Sequence, residues 1–314
     1  MVVAGASGVV GRHLATLATD RYDVVVLTRR VDGPFPPGVT VVAWRPDAAR
    51  SGDEEALSRL TSVLDGASAL VNLAGASVAE GRLGAAHLGR LIASRVDSTT
   101  TLVTAMRRCR RPPPVLVQGS AVGLYGQRGD TLLDDDAEPD DSFVLTPVVR
   151  AWEAAAVPAR ALSRLCVLRI GLVLAADAPA WQQLLLPIRL GVGGRLGAGS
   201  QWWSWIDADD LARSILYLVE HDACAGIFNA VAPEPVQQRA LGQAIARRLR
   251  RPFWFAVPAW LLRLALGRLA DAALLQSARA VPTHLIDCGF RFQRSSVEAV
   301  LSGLLPARDS GDGR

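Results

Sequence analysis

Short β-branched runs alternate with longer stretches of helical period through the first two-thirds of the chain. Apolar runs at 2–4, 23–29, 39–44, 69–75, 114–120, 165–174 and 226–231 predict strands. The patterns at 11–19, 53–63, 87–109, 147–162 and 208–221 predict helices between them. This alternation implies an α/β architecture, a doubly wound parallel sheet. Right-handed crossovers then bring Gly5, Arg29, Gly75, Ser120 and Ile170 to one edge of the sheet, the carboxyl edge at which ligands of such sheets bind. From about residue 176 the pattern breaks. "LPIRLGVGGRLGAGSQWWSWIDADDL" is rich in glycine and tryptophan and poorly periodic, and a helical region follows Pro233. The expected organisation is a sheet domain over 1–175 with 206–232 returning to it, a smaller C-terminal substrate cap from 176–205 and 233–305, and a disordered tail at 306–314.

Composition narrows the partners. Of 314 residues, 50% are hydrophobic and 20% charged, a soluble globular balance. No apolar run reaches the roughly 18 residues of a membrane span. The greasiest stretch, "PAWLLRLALGRLADAALL", is interrupted by Arg263, Arg268 and Asp271 and reads as a buried or interface helix. With no secretory signal pattern at the start, the chain is expected to be cytoplasmic, without a membrane partner. The four cysteines, Cys109, Cys166, Cys224 and Cys288, show neither paired spacing nor a nearby histidine at zinc-site distance, so no metal is expected. The net charge of +4 comes entirely from arginine, with no lysine anywhere, and the short arginine clusters fall at helix ends. That distribution argues against nucleic acid and leaves a small-molecule substrate, with the chain as a monomer or homodimer.

The first strand runs straight into a glycine turn. "VVAGASGVVGRHL" sets Gly5, Gly8 and Gly11 three apart between a strand and a helix, with Ala6, Ser7, Val9 and Val10 between them. The first glycine permits the tight turn, the second lets a pyrophosphate approach the backbone, and the third lets helix and strand pack closely. The helix N-terminus adds free amide donors. A site for NAD(H) has an acid about 20 residues further on, for the ribose hydroxyls. Here the second strand ends in Thr28, Arg29 and Arg30, and guanidinium forks match a 2′-phosphate, so NADP(H) is the expected cofactor.

With these residues, "VNLAGASV", "SRVDSTTTLV", "GSAVGLYG", "RAWEAAA", "LRIGLVL" and "CGFRF" follow in an order that resembles the short-chain dehydrogenase/reductase superfamily. Within it the chain is most similar to the atypical "epimerase family" oxidoreductases, relatives of nucleotide-sugar epimerases with a C-terminal segment like the domain of unknown function DUF1731. The resemblance implies an extended Rossmann-like fold, a bound dinucleotide touching Leu73, Ala74, Gly75 and Ile170, and a C-terminal cap over the substrate. The chain departs from the group's pattern at Leu83, Asp207 and Arg268.

The superfamily's proton chemistry rests on a Tyr and a Lys one helical turn apart. In "SFVLTPVVRAWEAAA" the corresponding positions are Val148 and Trp152, so Trp152 is expected to fill the space of the lysine stem beside the cofactor, and Glu153 reads as a solvated or capping charge. Three residues are candidates for the vacated catalytic role: Tyr125, just past the fifth strand; Ser120, as a hydrogen-bonding partner for substrate oxygen; and Asp207, whose partial burial would make it a usable acid. Gln201, Trp203, Trp205 and Arg189 are candidates for contacting substrate. The expected function is an NADP(H)-dependent oxidoreductase acting on a small carbonyl, hydroxyl or activated alkene. A nucleotide-sugar epimerase and a non-catalytic NADP(H)-binding sensor are the alternatives.

Overall fold

The computed structural model describes residues 1–79 and 83–305, so the tail expected to be disordered lies outside the described residues. Seven parallel strands form the central sheet: β1 (Val2–Ala4), β2 (Val25–Thr28), β3 (Thr40–Ala43), β4 (Leu70–Asn72), β5 (Val115–Ala121), β6 (Arg164–Ile170) and β7 (Gly226–Ala230). Their order across the sheet is β7-β6-β5-β4-β1-β2-β3. The chain winds outward from β1 through β2 to β3, returns to place β4 on the other side of β1, and winds outward again. The crevice beyond β1 and β4 is therefore the point where the winding reverses, the usual ligand site of such sheets.

Helices cover both faces because the strands are apolar on both. On one face α1 (Val9–Ala18) and α6 (Ala208–Glu220) pack Leu14, Ala15, Leu211 and Ile215 against Val3, Val26 and Val117. On the other, α2 (Glu54–Leu64), α3 (Ala85–Arg108) and α4 (Thr146–Ala156) bring Leu60, Leu102, Met106 and Ala156 against Val2, Leu70 and Leu116.

Three departures from the expected elements have local causes. The strand expected over 69–75 stops at Asn72, whose Oδ1 accepts the Ala74 amide (3.2 Å) and bends Leu73–Gly75 over the end of β1. The strand expected over 165–174 breaks at Gly171; Leu172–Leu174 leaves the main sheet and pairs in parallel with Trp205–Asp207. A side chain at 171 would place its Cβ 2.5 Å from the Ser204 carbonyl oxygen, so the break requires glycine. The helix expected over 147–162 gives way after Ala156 to a 3₁₀ turn at Val157–Ala161, where Pro158 has no amide to donate.

Beyond β6 the chain builds a second layer with its own core. Here α5 (Pro179–Arg189), α7 (Gln238–Leu249) and α9 (Val297–Leu304) enclose Trp181, Leu185, Trp205, Leu241, Ile245 and Val300. A parallel pair of strands, Gly193–Leu196 with Phe253–Val257, leads into α8 (Ala259–Leu266). The helix read from sequence as buried or at an interface buries Leu262 and leaves Trp260, Leu261 and Leu264 exposed. This layer stands over the carboxyl edge of the sheet from β5 to β7.

Candidate functional site

The glycine turn forms a cradle without room for side chains. Gly5 lies in the left-handed region (φ +87°), and a Cβ there would sit 2.6 Å from the Leu73 carbonyl carbon. A Cβ on Gly11 would meet the Ala6 Cα at 2.4 Å. Gly8 caps α1 with no side-chain hydrogen bond and no acid in the first turn, which leaves the amides of Val9, Val10 and Gly11 as the free donors of a helix N-terminus. Ser7 and Gly8 are exposed at the tip and Ala6 is buried beneath it. Leu73, Ala74 and Gly75 form the adjoining wall, held by Asn72, whose Nδ2 also donates to Thr99 Oγ1 and Gln118 Oε1 (both 3.0 Å).

At the end of β2 the Thr28 hydroxyl donates to the Arg30 carbonyl (2.8 Å) and accepts from the Arg30 amide (3.2 Å), which fixes the turn that presents the two arginines. Arg29 and Arg30 are exposed, and neither pairs with a carboxylate among the described residues. Trp152 lies against Gly119 of β5, where a Cβ would be 3.3 Å from the indole, so it does occupy the strip between α4 and the sheet. The Arg95 guanidinium sits over its ring (4.8 Å to the centroid) and against Gly75.

The proton-carrying candidates are rearranged by one buried cation. Arg169, on β6, is 4% exposed, and its Nε and Nη2 donate to the two oxygens of Glu153 (3.1 and 3.3 Å). Ser120 Oγ donates to the same Glu153 Oε1 at 2.5 Å. Glu153 is thus no solvated charge but the joint between a strand hydroxyl and a buried guanidinium. A signal for it existed in the sequence: an Arg inside "LCVLRIGLVL" demands a counter-charge, and α4 supplies the acid.

Tyr125 is fully buried. Its hydroxyl donates to Asn229 Oδ1 (2.8 Å), with the Asp134 carbonyl at 3.2 Å, and accepts from Arg169 Nη1 (2.9 Å). Burial pushes its pKa up, against the opposing pull of Arg169. The hydroxyl expected to serve substrate is enclosed by protein partners and is a weaker acid than a free phenol.

Asp207 is also committed elsewhere. It caps α6 by accepting from the Asp209 and Asp210 amides (3.1 and 3.3 Å), and both its oxygens accept from Arg294 Nη1 at 2.7 Å. Burial raises its pKa and Arg294 lowers it. Its geometry is that of a helix cap tied to the C-terminal segment, and it does not line the cavity described next.

A cavity of about 730 Å³ lies between the cap and the carboxyl edge. Val122, just beyond β5, and Leu172 form its floor; Leu184, Trp203, Phe253 and Val257 are among its walls. Among the described residues its polar lining is limited to Gln183, Ser204, Gln238, Gln276 and the indoles of Trp202 and Trp203, with no Arg, Asp, Glu or His. Of the substrate candidates, Trp203 lines it and three do not. Gln201 donates to the Leu196 and Leu274 carbonyls (3.1 and 2.9 Å), Trp205 is fully buried with Nε1 on the Glu234 carbonyl (2.9 Å), and Arg189 points to solvent at the end of α5. The apolar walls carried no sequence signal because they look like any core residue until the cap is placed.

A seven-stranded parallel sheet with a glycine cradle at its reversal point defines a Rossmann-type α/β protein. The chain belongs, in particular, to the NAD dependent epimerase/dehydratase family, whose model matches residues 1–230; residues 257–304 match the domain of unknown function DUF1731. It is 31% identical to epimerase family protein YfhF of Bacillus subtilis over 98% of each chain. It is 32% identical to epimerase family protein SERP0438 of Staphylococcus epidermidis, covering 98% of this chain and 99% of the relative. Its fold is similar to that of human epimerase family protein SDR39U1 (isoform 2), whose crystal structure is with NADPH; the TM-score is 0.85 at 26% identity, over 97% of this chain and 98% of the human one. The atypical reductase resemblance of the motifs therefore holds along the whole chain.

The enclosure of Tyr125 has a measurable consequence. Tyr125→Phe removes one hydroxyl and strands the Asn229 carbonyl oxygen and one Arg169 N–H, so urea denaturation should show a loss of about 1–3 kcal/mol. A loss below about 0.3 kcal/mol would mean that the hydroxyl is not part of a satisfied buried network.

Proposed function

We propose that the protein is an NADP(H)-dependent oxidoreductase acting on an uncharged, largely apolar carbonyl, alcohol or activated alkene. The observation that carries this reading is the cavity: some 730 Å³ bounded largely by aliphatic and aromatic side chains, with no charged group among the described residues of its wall, opening beside the end of β5. A cavity of that size suits a small organic molecule. A nucleoside diphosphate sugar would bring two phosphates to a wall whose described residues include no cation to meet them, which counts against the epimerase alternative.

The cradle fits a dinucleotide. Cβ atoms on Gly5 and Gly11 would collide with backbone, and the amides of Val9, Val10 and Gly11 suit a pyrophosphate. Arg29, with Arg30 beside it, suits the 2′-phosphate that distinguishes NADP(H). The NADPH in the structure of the human relative supports this choice. When bound, the cofactor supplies or accepts the hydride.

The residues of the chain then have to handle one proton. Reduction of a carbonyl takes up one hydride and one proton and yields the alcohol. In this step the Ser120 hydroxyl, 2% exposed and two residues before Val122 of the cavity floor, turns from Glu153 to give its proton to the reduced oxygen, and Glu153, 18% exposed, takes a proton from solvent and returns it to Ser120. Arg169 keeps the carboxylate in place. This route uses no lysine, a residue the chain lacks.

Two measurements test the reading. Arg29→Ala should weaken NADPH binding about 10- to 100-fold by calorimetry, as expected for lost charge-assisted hydrogen bonds, and leave NADH binding nearly unchanged; equal wild-type affinity for the two cofactors would sink the 2′-phosphate argument. Glu153→Gln should lower kcat for an apolar ketone or enone by about 100-fold with NADPH affinity intact. An unchanged kcat would remove Glu153 from the proton route.

A further inference from the structure

The outer face of the cap is apolar where a surface is ordinarily polar. Leu190 is 69% exposed, Trp254 74%, Trp260 65% and Leu264 70%, and Leu186 and Phe255 are exposed beside them. The elements that carry these side chains adjoin. Trp254 Nε1 donates to the Gly191 carbonyl (3.4 Å), the Trp254 and Phe255 rings meet edge to face at 5.2 Å, and α8 follows directly from the Phe253–Val257 strand. Clustered large apolar side chains on a surface mark a site of contact.

The charge around this face is one-sided. Residues 178–206 and 235–270, which build it, contain nine arginines and no Asp or Glu, and the acid that follows them, Asp271, pairs with Arg263 of α8 (2.9 Å), which leaves the arginines in large excess although the whole chain is only +4. Arg189, Arg250, Arg251 and Arg268 are exposed at its margins. Exposed Trp and Leu surrounded by arginine is the pattern of a surface that sits in the headgroup region of an anionic bilayer, the indoles at the interface and the cations on lipid phosphates. A second copy of the chain fits less well, because a two-fold contact through this face would set arginine against arginine, with Asp271 already paired to Arg263.

We propose that the cap docks on the surface of an anionic membrane through Leu186, Leu190, Trp254, Phe255, Trp260 and Leu264, with the marginal arginines on the lipid phosphates. No helix among the described residues is long and apolar enough to cross a membrane, so the contact is peripheral. The absence of a long apolar run speaks only against a span; surface adhesion requires none. The same elements wall the cavity, since Val192, Val257 and Leu266 line it. If the cavity serves the oxidoreductase reading above, its substrate is drawn from the lipid phase; the docking itself does not rest on that reading.

Vesicle flotation with the purified, NADPH-loaded protein tests the docking without any turnover. The full chain should float with phosphatidylcholine vesicles containing phosphatidylglycerol and remain unbound with phosphatidylcholine alone. Raising the salt should release it. Arg250→Ser with Arg251→Ser should lower partitioning by about 30-fold, at roughly a kilocalorie per basic residue. Trp260→Ser with Leu264→Ser, both on exposed positions, should abolish flotation and leave NADPH binding unchanged. Equal flotation by the Trp260/Leu264 variant, equal binding to both vesicle types, or a dimer that this variant dissolves in the absence of vesicle binding would each overturn the proposal.

Discussion

A guanidinium inside the central sheet governs the site. Arg169 is almost wholly removed from water, and an unpaired charge in such a place costs several kcal/mol. Its partners are therefore constrained before any ligand is considered. Glu153 must face the sheet from α4, Tyr125 must turn inward beneath β5, and Asn229 on β7 must accept from that tyrosine. Asp135 completes the shell by accepting from the Asn229 and His284 amides, and burial pushes its own carboxyl up from the usual range. Four segments far apart in sequence are tied to one cation. The carboxyl edge between β5 and β7 is rigid for that reason.

That arrangement changes what the lost Tyr–Lys pair means. In its place the chain holds a serine hydroxyl and a carboxylate in direct contact, with the guanidinium behind them. Trp152 packs on Gly119 and carries Arg95 on its face. The cap is apolar toward the cavity, and its outer face is apolar as well, with arginines at its margins.

The sheet was legible in the sequence because a buried parallel strand must be apolar on both faces and a surface helix on one, so the alternation of periods located all seven strands of the main sheet. The glycine cradle was legible for a steric reason: only glycine tolerates the approach of Leu73 to Gly5. Strand ends were harder, since Asn72 stops its strand through a side-chain bond to the Ala74 amide and Gly171 through its close approach to Ser204, neither of which periodicity signals. The reacting groups were the least legible. Tyr125 and Asp207 had the right chemistry and a plausible place, but whether a hydroxyl or carboxyl is free depends on partners such as Asn229 and Arg294, which periodicity cannot pair with them. Glu153 was passed over because a lone acid on a helix is usually solvated, and only its register against Arg169 shows otherwise. Of the aromatic and polar cluster around Gln201–Trp205, packing assigned Trp203 to the cavity and the rest of the named candidates to structure.

The central claim is that the proton passes through Ser120 and Glu153, with Tyr125 acting only as a packed support for Arg169. The most direct measurement compares kcat for NADPH-dependent reduction of one apolar ketone in Ser120→Ala and Tyr125→Phe, each well below its melting temperature. The account predicts a loss of about 100-fold or more in Ser120→Ala, and for Tyr125→Phe a rate near that of the unaltered protein with an unshifted pH profile. A folded, NADPH-binding Tyr125→Phe protein that has lost its activity, beside an active Ser120→Ala, would contradict it.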